Sequence, residues 1–367
     1  MIFEIMLIAG IVAAACSIPG VFLVLRRMSL QSDAISHSVL FGIVISFFIV
    51  KNFNSPLLMV GAAAAGVLTV VLSELLFKTK LIKEDASIGL VFPALFSIGV
   101  ILISKFAGDI HLDTDAVLTG EIALAPFDRF MMGTVDLGPR SAWVMGVVGL
   151  INLAFLLCFF KELKLATFDA GLAATLGFRP ALLHYGLMIM VSITAVGAFD
   201  SVGSILVVAL MIAPAATAYM LTDSLVVMVL LSIVSGVISA VVGVLAAFAF
   251  DTAIAGTMAV VCGLFFALAL LFAPRYGLVS KMFIVRDRKK VFACYTLGVH
   301  LLNHEGRPEE ERESDVRNIQ DHLRWSQKFS RQVVATGIRN GYLQKNEMQL
   351  RLTPLGRETV RSLMNRG

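Results

Sequence analysis

The sequence predicts an all-α polytopic membrane protein with about eight or nine transmembrane helices, followed by a small α+β domain. Of its 367 residues, 58% are hydrophobic and only 15% are charged, and the mean hydropathy is +0.86. Apolar runs of about 20 residues, the length that a helix needs to cross a bilayer, recur as far as residue 273. A soluble globular protein would expose too much apolar surface with this composition, so that class is excluded.

The apolar runs predict nine spans, with an uncertainty of one, because Asp200 and Ser201 give only a short polar break between two of them. The predicted spans cover residues 2–25, 34–51, 56–77, 87–105, 141–160, 181–200, 203–221, 225–249 and 254–273. Residues 281–367 carry a net charge of +7 and the rest of the chain −3. We therefore predict a transmembrane domain over residues 1–280 and a water-exposed C-terminal domain over residues 281–367.

The distribution of Lys and Arg predicts the orientation. Four basic clusters fall on one side of the membrane if the N-terminus lies outside and the C-terminus lies in the cytosol. They comprise Arg26 and Arg27; Lys78, Lys80 and Lys83; Lys161, Lys164 and Arg179; and the basic tail. The four Cys show no paired spacing, so neither a disulfide framework nor a thiolate zinc site is expected, and no permanently bound cofactor is predicted.

The stretch SDAISHSVLFGIV places Asp33 and His37 four residues apart at a predicted membrane boundary. On a helix this spacing puts both side chains on one face, where a carboxylate and an imidazole can share Mn²⁺, Fe²⁺ or Zn²⁺. The alternative is an Asp that caps or pairs at a helix start, with His37 satisfied by a neighbour. Ionisable groups at membrane depth usually have a function, which favours the metal site. Asp200, an acid in an almost uncharged region, is a further possible ligand, or else a loop residue.

Two segments between spans carry further signals. The cytosolic segment KELKLATFDAGLAATLGFRP contains a predicted helix over residues 170–176 that is too short to span and has the form of a docking element. In the predicted outer segment 106–140, alternate acidic and imidazole side chains point the same way if the chain is extended. These are Asp109, His111, Asp113 and Asp115. They can attract a cation, but a solvated acidic loop is the favoured interpretation.

The tail contains a helix ending near Asn340, extended pieces at residues 342–343 and 349–352, and a helix that starts at Pro354 with Thr353 as its N-cap. This is the layout of a winged helix over residues 315–365, and it resembles the DNA-binding domain of metal-dependent repressors. The positive charge suits phosphate or anionic lipid headgroups. Because acids from Glu309 to Glu313 interrupt it, a regulatory or partner-docking role is favoured over binding to nucleic acid.

Four segments together resemble the permease subunits of bacterial manganese, zinc and iron ABC importers. They are SDAISHSVLFG, HLDTDAVLTGEI, FDAGLAATLGFRP and VGSILVVALMIAPAATA, in the family's order over about residues 1–275. The resemblance implies that Asp33 and His37 are intramembrane metal ligands and that one segment couples to an ATPase. The positions expected to form the ATPase-coupling segment are Phe168, Asp169, Gly171, Ala174, Leu176 and Gly177. Phe41 stands where the family often has Pro. This departure affects the expected local helix geometry and not the expected ligands.

The resemblance also implies partners: two cytosolic ATPase subunits, an extracytoplasmic metal-binding protein, and a second permease that is a copy or a relative. The chain has no G-x-x-x-x-G-K-[ST] motif, so it is not the ATPase. The expected function is passage of Mn, Zn or Fe through the bacterial inner membrane. Two alternatives remain open at this point: a membrane-anchored metal-sensing regulator whose output is the winged helix, and an ATP-independent secondary transporter.

Overall fold

The structure, a computed structural model, describes residues 1–52, 55–106, 122–132, 135–274 and 276–364. It divides into two compact units, Met1–Gly277 and Leu278–Gly367. Within the described residues, nine helices are long and apolar enough to cross a membrane. All nine lie in the first unit and coincide closely with the predicted spans, which confirms the all-α polytopic membrane fold.

The first unit consists of eleven described helices and one hairpin. The helices are α1 Ile2–Leu25, α2 Ser29–Val50, α3 Pro56–Lys78, α4 Glu84–Phe106, α5 Arg140–Cys158, α6 Phe160–Phe168, α7 Ala170–Thr175, α8 Pro180–Val202, α9 Ser204–Leu221, α10 Leu225–Phe250 and α11 Ile254–Phe272. Strands β1 (Arg129–Met132) and β2 (Val135–Pro139) pair in an antiparallel manner before α5. Only α6 and α7 are too short to span a bilayer.

Helix α1 lies at the centre of the first unit. It packs against α5, α8, α9 and α10, and most of its residues from Ile5 to Leu23 are buried. Its closest approach to a neighbour is at Gly20, where a Cβ atom would lie 1.9 Å from the Met211 carbonyl oxygen of α9. Small residues of this kind let membrane helices approach closely enough for van der Waals packing to hold them together.

Helix α2 packs against α3 and α4 and begins at Ser29, five residues before the apolar run predicts. Its first turns are polar but buried, and Ser32 donates a hydrogen bond to Met211 Sδ at 3.1 Å. Ser36 bonds back to the Ser32 carbonyl oxygen at 2.9 Å. Because these hydroxyls find partners inside the protein, the helix extends beyond the residues that hydropathy identifies.

The second unit is a small α+β unit with its own core. Its elements are α12 Leu278–His304, α13 Glu310–Glu313, α14 Ile319–His322, α15 Gln327–Arg339, β3 Leu343–Asn346, β4 Gln349–Leu352 and α16 Pro354–Met364. The hairpin is antiparallel, with Leu343 opposite Leu352, and both side chains enter a core that includes Leu297 and Val333. Thr353 Oγ1 accepts a hydrogen bond from the Gly356 amide at 3.0 Å, which is the helix cap that the sequence predicts.

We predict that Gly20→Ala destabilises the first unit although alanine favours helix by about 1 kcal/mol over glycine. The new methyl group would collide with the Met211 carbonyl oxygen and push α1 and α9 apart, at a cost of about 1–3 kcal/mol or more. The measurement is the unfolding temperature and the monodisperse yield of the detergent-purified protein.

The matched control is Gly89→Ala in α4, where an added Cβ meets no atom within 4 Å. It should fold as well as the wild type. Equal behaviour of the two variants would contradict the close α1–α9 contact.

Candidate metal site

Asp33 and His37 lie on one face of α2, as their spacing predicts. His37 Nε2 is 3.4 Å from Asp33 Oδ1, and the two side chains are 32% and 38% exposed respectively. Because α2 begins at Ser29, Asp33 lies within the helix and is not its N-cap. The interpretation of Asp33 as a capping residue is therefore wrong, and the close carboxylate–imidazole pair is observed.

Two phenylalanines of α4 hold the imidazole in place. The Phe92 ring stacks on His37 with centroids 5.7 Å apart and planes inclined by 23°. Phe96 meets the same imidazole edge-on at 6.3 Å. Aromatic contacts of this kind restrict the ring orientation, which favours the observed direction of Nε2 toward the Asp33 carboxylate.

The pair offers a ring nitrogen and a carboxylate oxygen to a divalent ion. Zn²⁺ takes about four ligands, and harder ions such as Mn²⁺ take more oxygen ligands. Two protein ligands therefore leave several coordination positions open to water or to another chain. Both side chains are partly exposed and therefore not sealed inside the helices of this chain.

The side chains of the remaining candidate ligands lie outside the part of the chain that the structure describes. Asp109, His111, Asp113 and Asp115 lie in the segment 107–121, outside the described residues. The backbone of Asp200 lies within α8 and not in a loop, two residues before that helix ends at Val202. Its side chain lies outside the described part of the chain, so its role as a ligand stays a prediction.

The segment after α5 forms two short helices, α6 and α7, joined at Asp169. Asp169 caps α7 by accepting a hydrogen bond from the Leu172 amide at 2.8 Å. The helix ends at Thr175, and Gly177 follows with φ +86°, a conformation that favours glycine strongly over residues with a Cβ. The sequence predicts this short helix within one residue at its C-terminal end.

The short helix α7 and the residues that flank it present apolar side chains to the outside. Phe168 is 64% exposed and Leu176 is 61% exposed, with Leu172 exposed between them. Gly171 and Ala174 are also exposed and add little bulk. Arg26 Nε donates to Thr167 Oγ1 at 3.1 Å, which ties α6 to the end of α1. The result is an anchored apolar surface, which we call the docking helix surface (Phe168, Leu172 and Leu176).

Sequence reasoning missed a second polar pair inside the first unit. Glu74 of α3 forms an ion-pair contact with His184 of α8 and accepts a hydrogen bond from the Tyr185 hydroxyl at 2.7 Å. Lys78 lies 3.8 Å from the same carboxylate. In the sequence, the signal for such a pair is an acidic residue near the end of an apolar run. That signal does not identify the partner residue, which lies far away along the chain.

Comparisons with known proteins agree on one family. A family model described as "ABC 3 transport family" matches residues 1–273. The chain is 48% identical over 356 residues to the "Zinc transport system membrane protein TroD" of Treponema pallidum (strain Nichols), and the match covers 97% of each chain. It is 43% identical to the "Manganese transport system membrane protein MntD" of Bacillus subtilis (strain 168), covering 77% of this chain and 96% of the relative.

A solved structure is also similar. "PsaBC from Streptococcus pneumoniae in complex with Fab" matches with a TM-score of 0.61 and 30% sequence identity, covering 74% of this chain and 92% of that one. The family model ends at residue 273, before the second unit begins at Leu278. The similarity to TroD, in contrast, extends over nearly the whole chain.

We predict that the two polar pairs differ in their effect on stability. Glu74→Gln removes the charged partner of His184, which is only 17% exposed, and should cost about 1–3 kcal/mol. Asp33→Asn changes a more open pair and should stay within about 0.5 kcal/mol of the wild type. Thermal unfolding of the purified chain in detergent measures both. A larger loss for Asp33→Asn than for Glu74→Gln would show that Asp33 is mainly structural.

Proposed function

The chain belongs to the ABC 3 transport family, and we propose that it is the permease subunit of an ATP-driven importer of divalent transition metal ions. The observation that carries this proposal is the family match over residues 1–273, which takes in all nine apolar helices. Relatives named for zinc and for manganese transport support Zn²⁺ or Mn²⁺ as the cargo. Iron, the third metal that the sequence resemblance implies, stays a prediction.

Asp33 and His37 are the proposed ligands on the path of the ion. Their separation of 3.4 Å and their partial exposure support this role, because an ion in transit has to be reached from outside and released again. A second permease, either a copy of this chain or a relative, is the proposed source of the remaining ligands. Its own pair, facing Asp33 and His37, would complete the coordination shell.

The docking helix surface is the proposed contact with a cytosolic ATPase. ATP hydrolysis belongs to that separate subunit, since this chain has no phosphate-binding loop. Phe168 at the end of α6, Leu172 within the short, capped helix α7 and Leu176 directly after it are all exposed. Burial of such side chains at an interface is favourable by about 25 cal/mol for each Å² of apolar surface.

We assign the N-terminus to the outside and the C-terminus to the cytosol of a bacterial inner membrane. The contact between Arg26 and Thr167 supports this orientation, since it joins the first basic cluster to the basic segment that contains the docking helix. The opposite side then faces the extracytoplasmic metal-binding protein.

The second unit is proposed to be a winged-helix module with a regulatory or docking role in the cytosol. The order of α15, β3, β4 and α16 supports the winged-helix assignment. Its basic side chains are interspersed with acids, as in the ion pair between Arg357 and Glu305 at 2.5 Å. This pattern favours a protein partner over the phosphates of nucleic acid.

The proposal predicts ATP-dependent uptake of radiolabelled Mn²⁺ or Zn²⁺ into proteoliposomes. These contain the chain, its second permease, the ATPase and the metal-binding protein. A non-hydrolysable ATP analogue should reduce uptake to background. Uptake that proceeds without ATP and follows an ion gradient would favour a secondary transporter instead.

In the same vesicles, Leu176→Glu should abolish uptake and co-purification of the ATPase, because a carboxylate at an apolar interface is costly to desolvate. Gly177 is less suitable for this test, since replacement at φ +86° strains the turn itself. The matched control is Leu137→Glu, an exposed leucine of β2 on the proposed opposite side. Retained ATPase binding by the Leu176→Glu variant would contradict the proposed ATPase contact.

A further inference from the structure

A cluster of imidazoles and a carboxylate lies within the second unit. His300 and His304 are four residues apart on α12, and Glu313 ends α13. One ligand atom from each of these three side chains lies within 4.8 Å of the other two. Glu313 Oε2 is 3.3 Å from His300 Nε2 and 3.2 Å from His322 Nδ1, so a third imidazole adjoins the cluster.

Two polar atoms of the cluster lack a hydrogen bond of good geometry. His300 Nε2 and His304 Nδ1 are buried, and neither makes a hydrogen bond of good geometry, although His300 Nε2 lies 3.3 Å from Glu313 Oε2. A single carboxylate does not serve three imidazoles in good geometry, and unpaired buried nitrogen atoms are unfavourable.

We propose that His300, His304 and Glu313 form a binding site for a divalent transition metal ion in the C-terminal unit. Two imidazoles and one carboxylate are a ligand set that Zn²⁺ accepts readily, with a fourth position open to His322 or water. This site is separate from the transport function and does not depend on it.

Metal binding needs only a small contraction of the cluster. Ligand atoms about 2.0–2.2 Å from a tetrahedral Zn²⁺ lie about 3.4 Å apart, against a present limit of 4.8 Å. Side-chain rotation can supply this difference, since His300 Nε2 and His304 Nδ1 make no hydrogen bond of good geometry that would have to be broken. A pocket lined by His304, Glu305 and Glu310 opens beside the cluster and gives an ion access.

A bound ion would join two separate elements of the unit. It would tie the end of α12 to the segment from Glu313 to His322. That segment also pairs with the hairpin, because the Leu350 amide donates to the Ser314 carbonyl oxygen at 2.9 Å. The ion would therefore stabilise the arrangement of α12 against β4, and the unit should resist unfolding more strongly when Zn²⁺ is present.

The test measures Zn²⁺ binding by the full chain in detergent, using the metal alone. The wild type should bind one more Zn²⁺ per chain than His304→Gln or Glu313→Gln, or bind it at least about tenfold more tightly. Glu311→Gln is the matched control, because Glu311 is an exposed carboxylate of α13 outside the cluster and its replacement should leave Zn²⁺ binding unchanged. Zn²⁺ binding by His304→Gln and Glu313→Gln equal to that of the wild type would overturn the proposal.

A second measurement needs no variant and so does not depend on folding of the altered chains. Diethyl pyrocarbonate modifies free histidines, and mass spectrometry reads the extent of reaction at each position. Zn²⁺ should protect His300 and His304 from modification. Unchanged reaction of both residues at saturating Zn²⁺ would refute the site, whether or not the chain transports metal.

Discussion

The close packing of α1 against α9 is the constraint on which the position of the metal site depends. Met211 of α9 lies at the junction. Its carbonyl oxygen occupies the space that a side chain at position 20 would fill, and its sulfur accepts a hydrogen bond from Ser32. Ser32 immediately precedes Asp33 on α2. The central helix thus sets the position of α9, and α9 holds the turn of α2 that carries the candidate ligands. In a bilayer this packing has to come from fit and internal hydrogen bonds, since apolar burial alone does not drive membrane helices together.

The pair on α2 combines a fixed geometry with an incomplete coordination shell. Phe92 and Phe96 restrain the His37 ring, while the carboxylate and the imidazole remain partly exposed. A site that is to release its ion differs from a structural metal site, which closes all four positions around Zn²⁺. Under the proposed function, the ligands of one permease chain would hold the ion weakly alone and more strongly when a second chain approaches. The cluster at His300 and His304 has the opposite character, because its nitrogen atoms are more enclosed.

The fold was largely predictable because hydropathy directly reports membrane helices, and the nine predicted spans lie close to the observed ones. The start of α2 was not predictable from hydropathy, since its first turns contain Gln31 and Ser32, which are polar yet almost fully buried. Of the candidate site, the relation between Asp33 and His37 followed from helical spacing alone. The contact of His184 with Glu74 joins residues far apart in the sequence, and the contact of Glu313 with His300 joins two separate helices. Such contacts depend on tertiary packing, which no local pattern reveals.

The measurement that tests the central claim most directly is transport by chains in which the α2 ligands are altered one at a time. Asp33→Ala and His37→Ala are each reconstituted with the second permease, the ATPase and the metal-binding protein, and initial rates of Mn²⁺ and Zn²⁺ uptake are compared with the wild type. The account predicts that uptake falls to background in both variants while the assembly and its unfolding temperature are preserved. Uptake at the wild-type rate in either variant would contradict it and would move the ion path away from this pair.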